Sequence, residues 1–100
     1  MNSAGEERLT RFELAVVRLL SHRRMSGRDL QAVLRRHFCC LGLVAFYSRM
    51  ARMEDRWLVC AQDVPTTVGG INVRLRHFSL SHVGRMAHRR YRAYRPAPWL

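Results

Sequence analysis

The stretch Leu43–Trp57, LVAFYSRMARMEDRW, has the clearest periodicity in the chain. Its apolar residues recur at helical spacing, at Leu43, Phe46, Tyr47, Met50, Met53 and Trp57. The opposite face carries polar and charged residues, namely Ser48, Arg49, Arg52, Asp55 and Arg56. The pattern predicts an amphipathic helix over 43–57 that buries one face and exposes arginines on the other.

Two shorter helices are predicted upstream of this stretch. Thr10-Arg11-Phe12-Glu13 matches a capping box, in which Thr10 and Glu13 each bond the other's backbone amide, and it predicts a helix over 11–22. Ser26-Gly27-Arg28-Asp29 provides a similar cap for a helix over 27–37. Residues 38–42 are then a short connector.

The period changes downstream of the long helix. Residues 58–61 are a short apolar run and 71–76 alternate with period two, so they predict two strands joined by turn residues over 64–70. Ser81 can cap a fourth helix over 82–94. The order predicts a mainly α chain with a small β-hairpin, that is, a winged helix-turn-helix. We assign 1–8 to a flexible lead, 9–81 to the DNA-binding domain, 82–95 to a C-terminal dimerisation helix and 96–100 to a tail.

The charge indicates the partner. The formal net charge is +11, and all 18 basic residues are arginine. Because the arginines are divided equally between the two halves, the charge belongs to a folded surface that attracts polyanions. A helix fits the major groove of double-stranded DNA, and arginines on a hairpin can reach the phosphates. The predicted DNA-binding residues are Arg28, Tyr47, Ser48, Arg49, Arg52, Arg74 and Arg76.

The fourth predicted helix has an apolar face with no remaining core to cover it. Its residues are Val83, Ala87, Tyr91 and Tyr94. We therefore expect a homodimer joined through this face.

Four segments resemble the PadR-like transcriptional regulators. These are Leu9–Val16, Met25–Leu30, Ala45–Asp55 and Phe78–Arg85, which are similar to the family's first helix, second-helix entry, recognition helix and wing exit. The resemblance implies a DNA-binding homodimer joined through its C-terminal helix, acting on a palindromic operator and often released by a small-molecule effector. The family usually has glycine near the end of the recognition helix, where this chain has Arg56-Trp57.

Other classes of protein are less consistent with the sequence. Cys39, Cys40 and Cys60 suggest a metal-sensing winged helix, but adjacent cysteines rarely face one ion, so we expect no metal and no cofactor. A basic RNA-binding module is a second alternative, although the aromatic residues lie mostly at core spacing. We expect no enzyme, because no nucleophile motif or phosphate-binding glycine loop occurs. Without a long apolar run or a signal peptide, the expected location is the cytoplasm, on the nucleoid.

Overall fold

Four helices and three strands make up the described part of the chain, which is residues 9–94 of this computed structural model. Their order is α1 (Arg11–Leu20), β1 (Met25–Ser26), α2 (Gly27–Leu34), α3 (Leu43–Asp55), β2 (Val59–Val68), β3 (Ile71–Leu80) and α4 (His82–Tyr94). The strands form one antiparallel sheet in the order β1-β3-β2. This is the arrangement of a winged helix, with α2 and α3 as the helix-turn-helix and β2–β3 as the wing. The predicted lead (1–8) and tail (96–100) lie outside the described residues.

The predicted helix caps are confirmed. The Glu13 amide donates to the Thr10 hydroxyl at 3.1 Å, and the Thr10 amide donates to the Glu13 carboxylate at 2.9 Å. The Asp29 amide donates to the Ser26 hydroxyl at 3.1 Å at the start of α2. At the start of α4, the Gly84 amide donates to the Ser81 hydroxyl at 3.0 Å.

The core lies between the three N-terminal helices and the base of the wing. Phe46 of α3 meets Phe78 of β3 edge to face, with ring centroids 6.3 Å apart. Phe46, Met50 and Met53 of α3 are fully buried, as the periodicity predicts. The same prediction is wrong for Leu43 and Trp57, which are 57% and 75% exposed because the ends of the apolar stripe extend beyond the core.

Three helices end before the predicted residue. α1 ends at 20 rather than 22, α2 at 34 rather than 37, and α3 at 55 rather than 57. After α2, residues 35–37 are exposed and offer no apolar side chain to the core, so nothing holds them in the helix.

The wing is longer than predicted. The expected turn over 64–70 is wrong, because β2 continues to Val68 and pairs there with Ile71. Only Gly69 and Gly70 form the turn, with φ of +57° and +78°, as a two-residue hairpin turn of the type I′ class requires. Pro65 is tolerated because β2 is an edge strand. β3 likewise extends beyond residue 76 to Leu80, and the two-residue β1, which pairs with it at Phe78 and His77, is not predicted from the sequence.

The end of α3 is closed by a tryptophan in the left-handed conformation. Trp57 has a φ of +64°. Its amide donates to the Glu54 carbonyl at 2.9 Å, and the Leu58 amide donates to the Met53 carbonyl at 2.9 Å. These two bonds define a Schellman motif, which usually has glycine at this position. Trp57 therefore holds a backbone conformation that favours glycine.

Candidate nucleic-acid interface

All seven residues predicted to bind DNA are exposed. On α3, the 100° step per residue places Ser48 opposite the buried Phe46 and Met50, and Arg52 on the same side. Val44, which is 87% exposed, lies on this outer face as well. Sequence analysis did not select Val44, although its position in the helical period could have indicated it.

Arg49 of α3 contacts α1. Its guanidinium carbon is 5.1 Å from the centroid of the Phe12 ring, a cation–π contact. Ser48, Arg49 and Arg52 together line a groove of about 630 Å³ between α3 and the start of α1. The nearby carboxylate of Glu13 is bonded to Arg56 at 2.8 Å. Arg49 therefore combines an exposed charge with a packing role.

Tyr47 contacts the start of α2. A side-chain carbon added at Gly27 would overlap the Tyr47 hydroxyl and lie 3.0 Å from its ring carbon Cζ. The Tyr47 ring also lies 6.4 Å from Phe78, centroid to centroid. Tyr47, 36% exposed, thus helps to fix the angle between the two helices of the helix-turn-helix.

The wing is tied to α3 by an arginine. Arg76 of β3 lies 3.3 Å from the Glu54 carboxylate of α3 and 3.4 Å from that of Asp63, its partner on β2. These groups are exposed, so the pairs contribute about 1 kcal/mol at most and chiefly set position. Sequence analysis did not identify Glu54 or Asp63 as partners, because the register that joins them depends on the full length of the wing.

Arg74 shares the strand face of Arg76, two residues nearer the tip. Among the described residues, no hydrogen bond or ion pair involves the guanidinium of Arg74, Arg52 or Arg28. Since Arg76 reaches Glu54, this face of the wing is the one on the α3 side. Arg74 and Arg52 are therefore exposed, uncompensated cations on the two elements that Arg76 joins.

The expectation that no core covers the predicted dimer face of α4 is wrong for Ala87 and Tyr91, which pack against the core of their own chain. The rest of the face that the structure describes is exposed. Val83 and Met86 are 47% and 43% exposed, and Ala87 is half-buried. Tyr91 is half-buried, and its hydroxyl accepts a bond from the Leu9 amide at 2.9 Å. The side chain of Tyr94 lies outside the described part. The face borders a cleft of about 490 Å³.

The cysteines are free and exposed. In the part of the chain that the structure describes, no group of three or more His, Cys, Asp or Glu side chains is placed to hold a metal ion. Within residues 9–94, no helix has both the length and the apolar content needed to cross a membrane.

The fold resembles the folds of several solved transcription regulators. It is similar to a PadR-family transcription regulator from hypervirulent Clostridium difficile, with a TM-score of 0.70 and 17% identity over 84% of this chain and 85% of that chain. Bacillus subtilis PadR in complex with operator DNA matches with a TM-score of 0.65 and 16% identity, over 88% of this chain and 50% of that chain. RosR of H. salinarum matches with a TM-score of 0.72 and 14% identity, over 91% of this chain and 76% of that chain.

No family model matches the chain, and no curated protein matches it in sequence. The resemblance to PadR-like regulators is thus confirmed at the level of the fold.

Proposed function

We propose that this chain is a sequence-specific transcription regulator that binds double-stranded DNA as a homodimer on a palindromic operator. The observation that carries the proposal is the joining of α3 to the wing by Arg76, which leaves Arg52 and Arg74 exposed on the two joined elements. The proposal is supported by the similarity of the fold to half of the Bacillus subtilis PadR chain, whose structure was solved in complex with operator DNA.

The exposed residues of α3 suit the major groove. Arg52 and Arg49 can each donate two hydrogen bonds to guanine, and Ser48 can bond to a base edge or a phosphate. Val44 can contact a thymine methyl group. In this proposal the Tyr47 ring supports α3, and its exposed part contacts the phosphate backbone.

The phosphate contacts come from elements that flank α3. Arg74 on the wing and Arg28 in the first turn of α2 are exposed and uncompensated. Arg76 holds the wing in place, and its remaining N–H groups can also reach the backbone. Contacts of this kind position the protein without reading the sequence.

The homodimer would form through Val83, Met86 and Ala87 of α4, with Tyr91 and Tyr94 farther along the helix. Sedimentation at micromolar concentration should give twice the chain mass, and Val83→Glu should give the monomer. A wild-type species of 11.7 kDa under these conditions would refute the dimer.

The expected location is the cytoplasm, on the nucleoid, and a small-molecule effector fits this class of regulator.

The test of DNA binding begins with selection from random duplexes, which should yield a palindromic motif. Competition between that site and random duplex then compares three single variants. Arg52→Ala should reduce the specificity ratio by about 1–3 kcal/mol, because it removes a base contact. Arg74→Ala should weaken both duplexes alike and lower the salt slope by about 1.

The matched control is Arg36→Ala, which removes the same charge from an exposed position beyond the end of α2. It should leave both the specificity ratio and the affinity for each duplex unchanged. If Arg52→Ala and Arg74→Ala behave like Arg36→Ala, this surface is not the DNA-binding site.

A further inference from the structure

A second cationic site lies away from α3, where the end of α1 meets the first turns of α4. Three arginines and two histidines line a cleft of about 450 Å³ there: Arg18, His22, Arg85, His88 and Arg89. An adjoining depression shares His22 and Arg85 and adds Arg23 and Arg24. The cleft thus gathers cations from two helices and the loop after α1.

The spacing of two of these arginines is unfavourable for α4. Arg85 and Arg89 are four residues apart on this helix. Residues four apart on a helix lie one above the other, and two like charges so placed destabilise the helix. This pair and Arg18 of α1 line the same cleft. A bound anion would convert this repulsion into attraction.

Among the described residues, no carboxylate forms an ion pair with the three arginines of the cleft. Residues 14–28 and 64–94, which supply every described residue lining the cleft, contain neither Asp nor Glu. The three ion pairs of the described part use Arg56 and Arg76 and engage Glu13, Glu54 and Asp63. Arg18, Arg85 and Arg89 take part in none of them.

The cleft is separate from the proposed DNA-binding surface. No residue of α3, and none from the tip of the wing, is among the described residues that line it. Arg49 of α3 contacts α1 at Phe12, near its start. Arg18 lies six residues farther along the helix, or about 9 Å at 1.5 Å per residue, and His22 lies beyond it.

We propose that this cleft binds a small phosphate-bearing molecule with at least two negative charges. The guanidinium group offers a planar set of donors that matches phosphate oxygens in pairs. Leu80 is the only apolar residue, and no aromatic side chain is present, among the described residues that line the cleft. Charge and hydrogen bonding therefore dominate recognition, and stacking on a nucleobase does not contribute. The proposal is independent of the proposed DNA binding.

The experiment titrates the full chain with inorganic tripolyphosphate by calorimetry at constant ionic strength. The wild-type protein should bind one tripolyphosphate per chain. Arg18→Gln/Arg85→Gln should weaken this binding at least tenfold, because it removes two charged donors. Arg85→Gln/Arg89→Gln changes only exposed residues of α4, and it should show the same loss.

The matched control is Arg35→Gln/Arg36→Gln, which removes two charges from exposed positions outside the cleft and should change the affinity less than twofold. Equal weakening in the control, or no binding by the wild-type protein, would overturn the proposal. A loss confined to Arg49→Gln/Arg52→Gln would place the anion on α3 and also overturn it.

A parallel titration with duplex DNA separates this site from a second DNA-binding surface. The cleft variants should weaken duplex binding no more than the control variant does. If they weaken it as much as Arg49→Gln/Arg52→Gln does, the cleft is a DNA surface and the proposal is wrong. Failure of the wild-type chain to bind duplex would refute the proposed function and leave the tripolyphosphate result intact.

Discussion

The Trp57→Gly variant should be more stable than the Trp57→Ala variant. This is the reverse of the usual order inside a helix, where alanine is the more stabilising residue. Trp57 has a φ of +64° in the Schellman motif that ends α3. The left-handed conformation costs a residue with a Cβ atom roughly 1–2 kcal/mol, and glycine is free of this cost. Both variants lose the same indole contacts, so the difference between them isolates the backbone.

The expected difference follows from two opposing terms. Glycine at position 57 relieves about 1–2 kcal/mol of strain in the folded state. It also gives the unfolded chain more conformational freedom than alanine does, which costs about 0.4–1 kcal/mol. Trp57→Gly should therefore be more stable than Trp57→Ala by about 0.5–1 kcal/mol, or several degrees in Tm for a domain of this size.

The assay is urea unfolding, monitored by far-UV circular dichroism at one protein concentration. The unfolding free energy of the two variants must depend on urea concentration with the same slope. Ala51, exposed in the interior of α3, provides the control, because Ala51→Gly should lose about 1 kcal/mol there. The sign of the alanine-to-glycine change should thus be opposite at positions 51 and 57. If Trp57→Ala equals or exceeds Trp57→Gly in stability, the strain assigned to Trp57 does not exist.

Three further predictions concern two glycines and the cysteines. Gly27→Ala should cost about 1–3 kcal/mol of unfolding free energy because the new methyl group meets the Tyr47 hydroxyl, and Tyr47→Phe in the same chain should restore part of that loss; equal costs in both backgrounds would contradict this contact. Gly84→Ala should cost more than Gly27→Ala in the same urea assay, because its methyl group meets the backbone carbonyl of Leu58 rather than the end of a side chain. Replacing all three cysteines by serine should leave DNA affinity unchanged with or without a chelator, as measured by fluorescence anisotropy; zinc-dependent release of DNA from the wild-type chain alone would support a metal sensor instead. The cysteines concerned are Cys39, Cys40 and Cys60.

The sequence predicted those parts of the fold that depend on local signals. The caps at Thr10, Ser26 and Ser81 are local hydrogen-bonding patterns, and each is present. The apolar period of α3 is strong enough to identify its buried residues. Helix ends were less well predicted, because they depend on where the core stops and not on the pattern itself.

The wing shows why the remaining features were missed. Val64–Val68 contains Pro65, which favours a turn but is tolerated in an edge strand, and two threonines, which favour a strand. Pairing with β3 makes this segment a strand and not a turn. β1 has only two residues, and it is defined by its pairing with Phe78 and His77 of β3 and not by a local sequence pattern. The arginine cleft was also missed, since it depends on the packing of α1 against α4.

The junction between α3 and α4 links the proposed DNA-binding helix to the proposed dimer helix. The Leu58 carbonyl accepts a bond from the Ser81 amide at 3.2 Å, and the Ser81 hydroxyl donates to the Trp57 carbonyl. Gly84 lets α4 approach this turn closely, because any side chain there would overlap Leu58. The end of α3 and the start of α4 therefore form one corner. In a dimer joined through α4, this corner would set the distance between the two copies of α3 and hence the spacing of the half-sites.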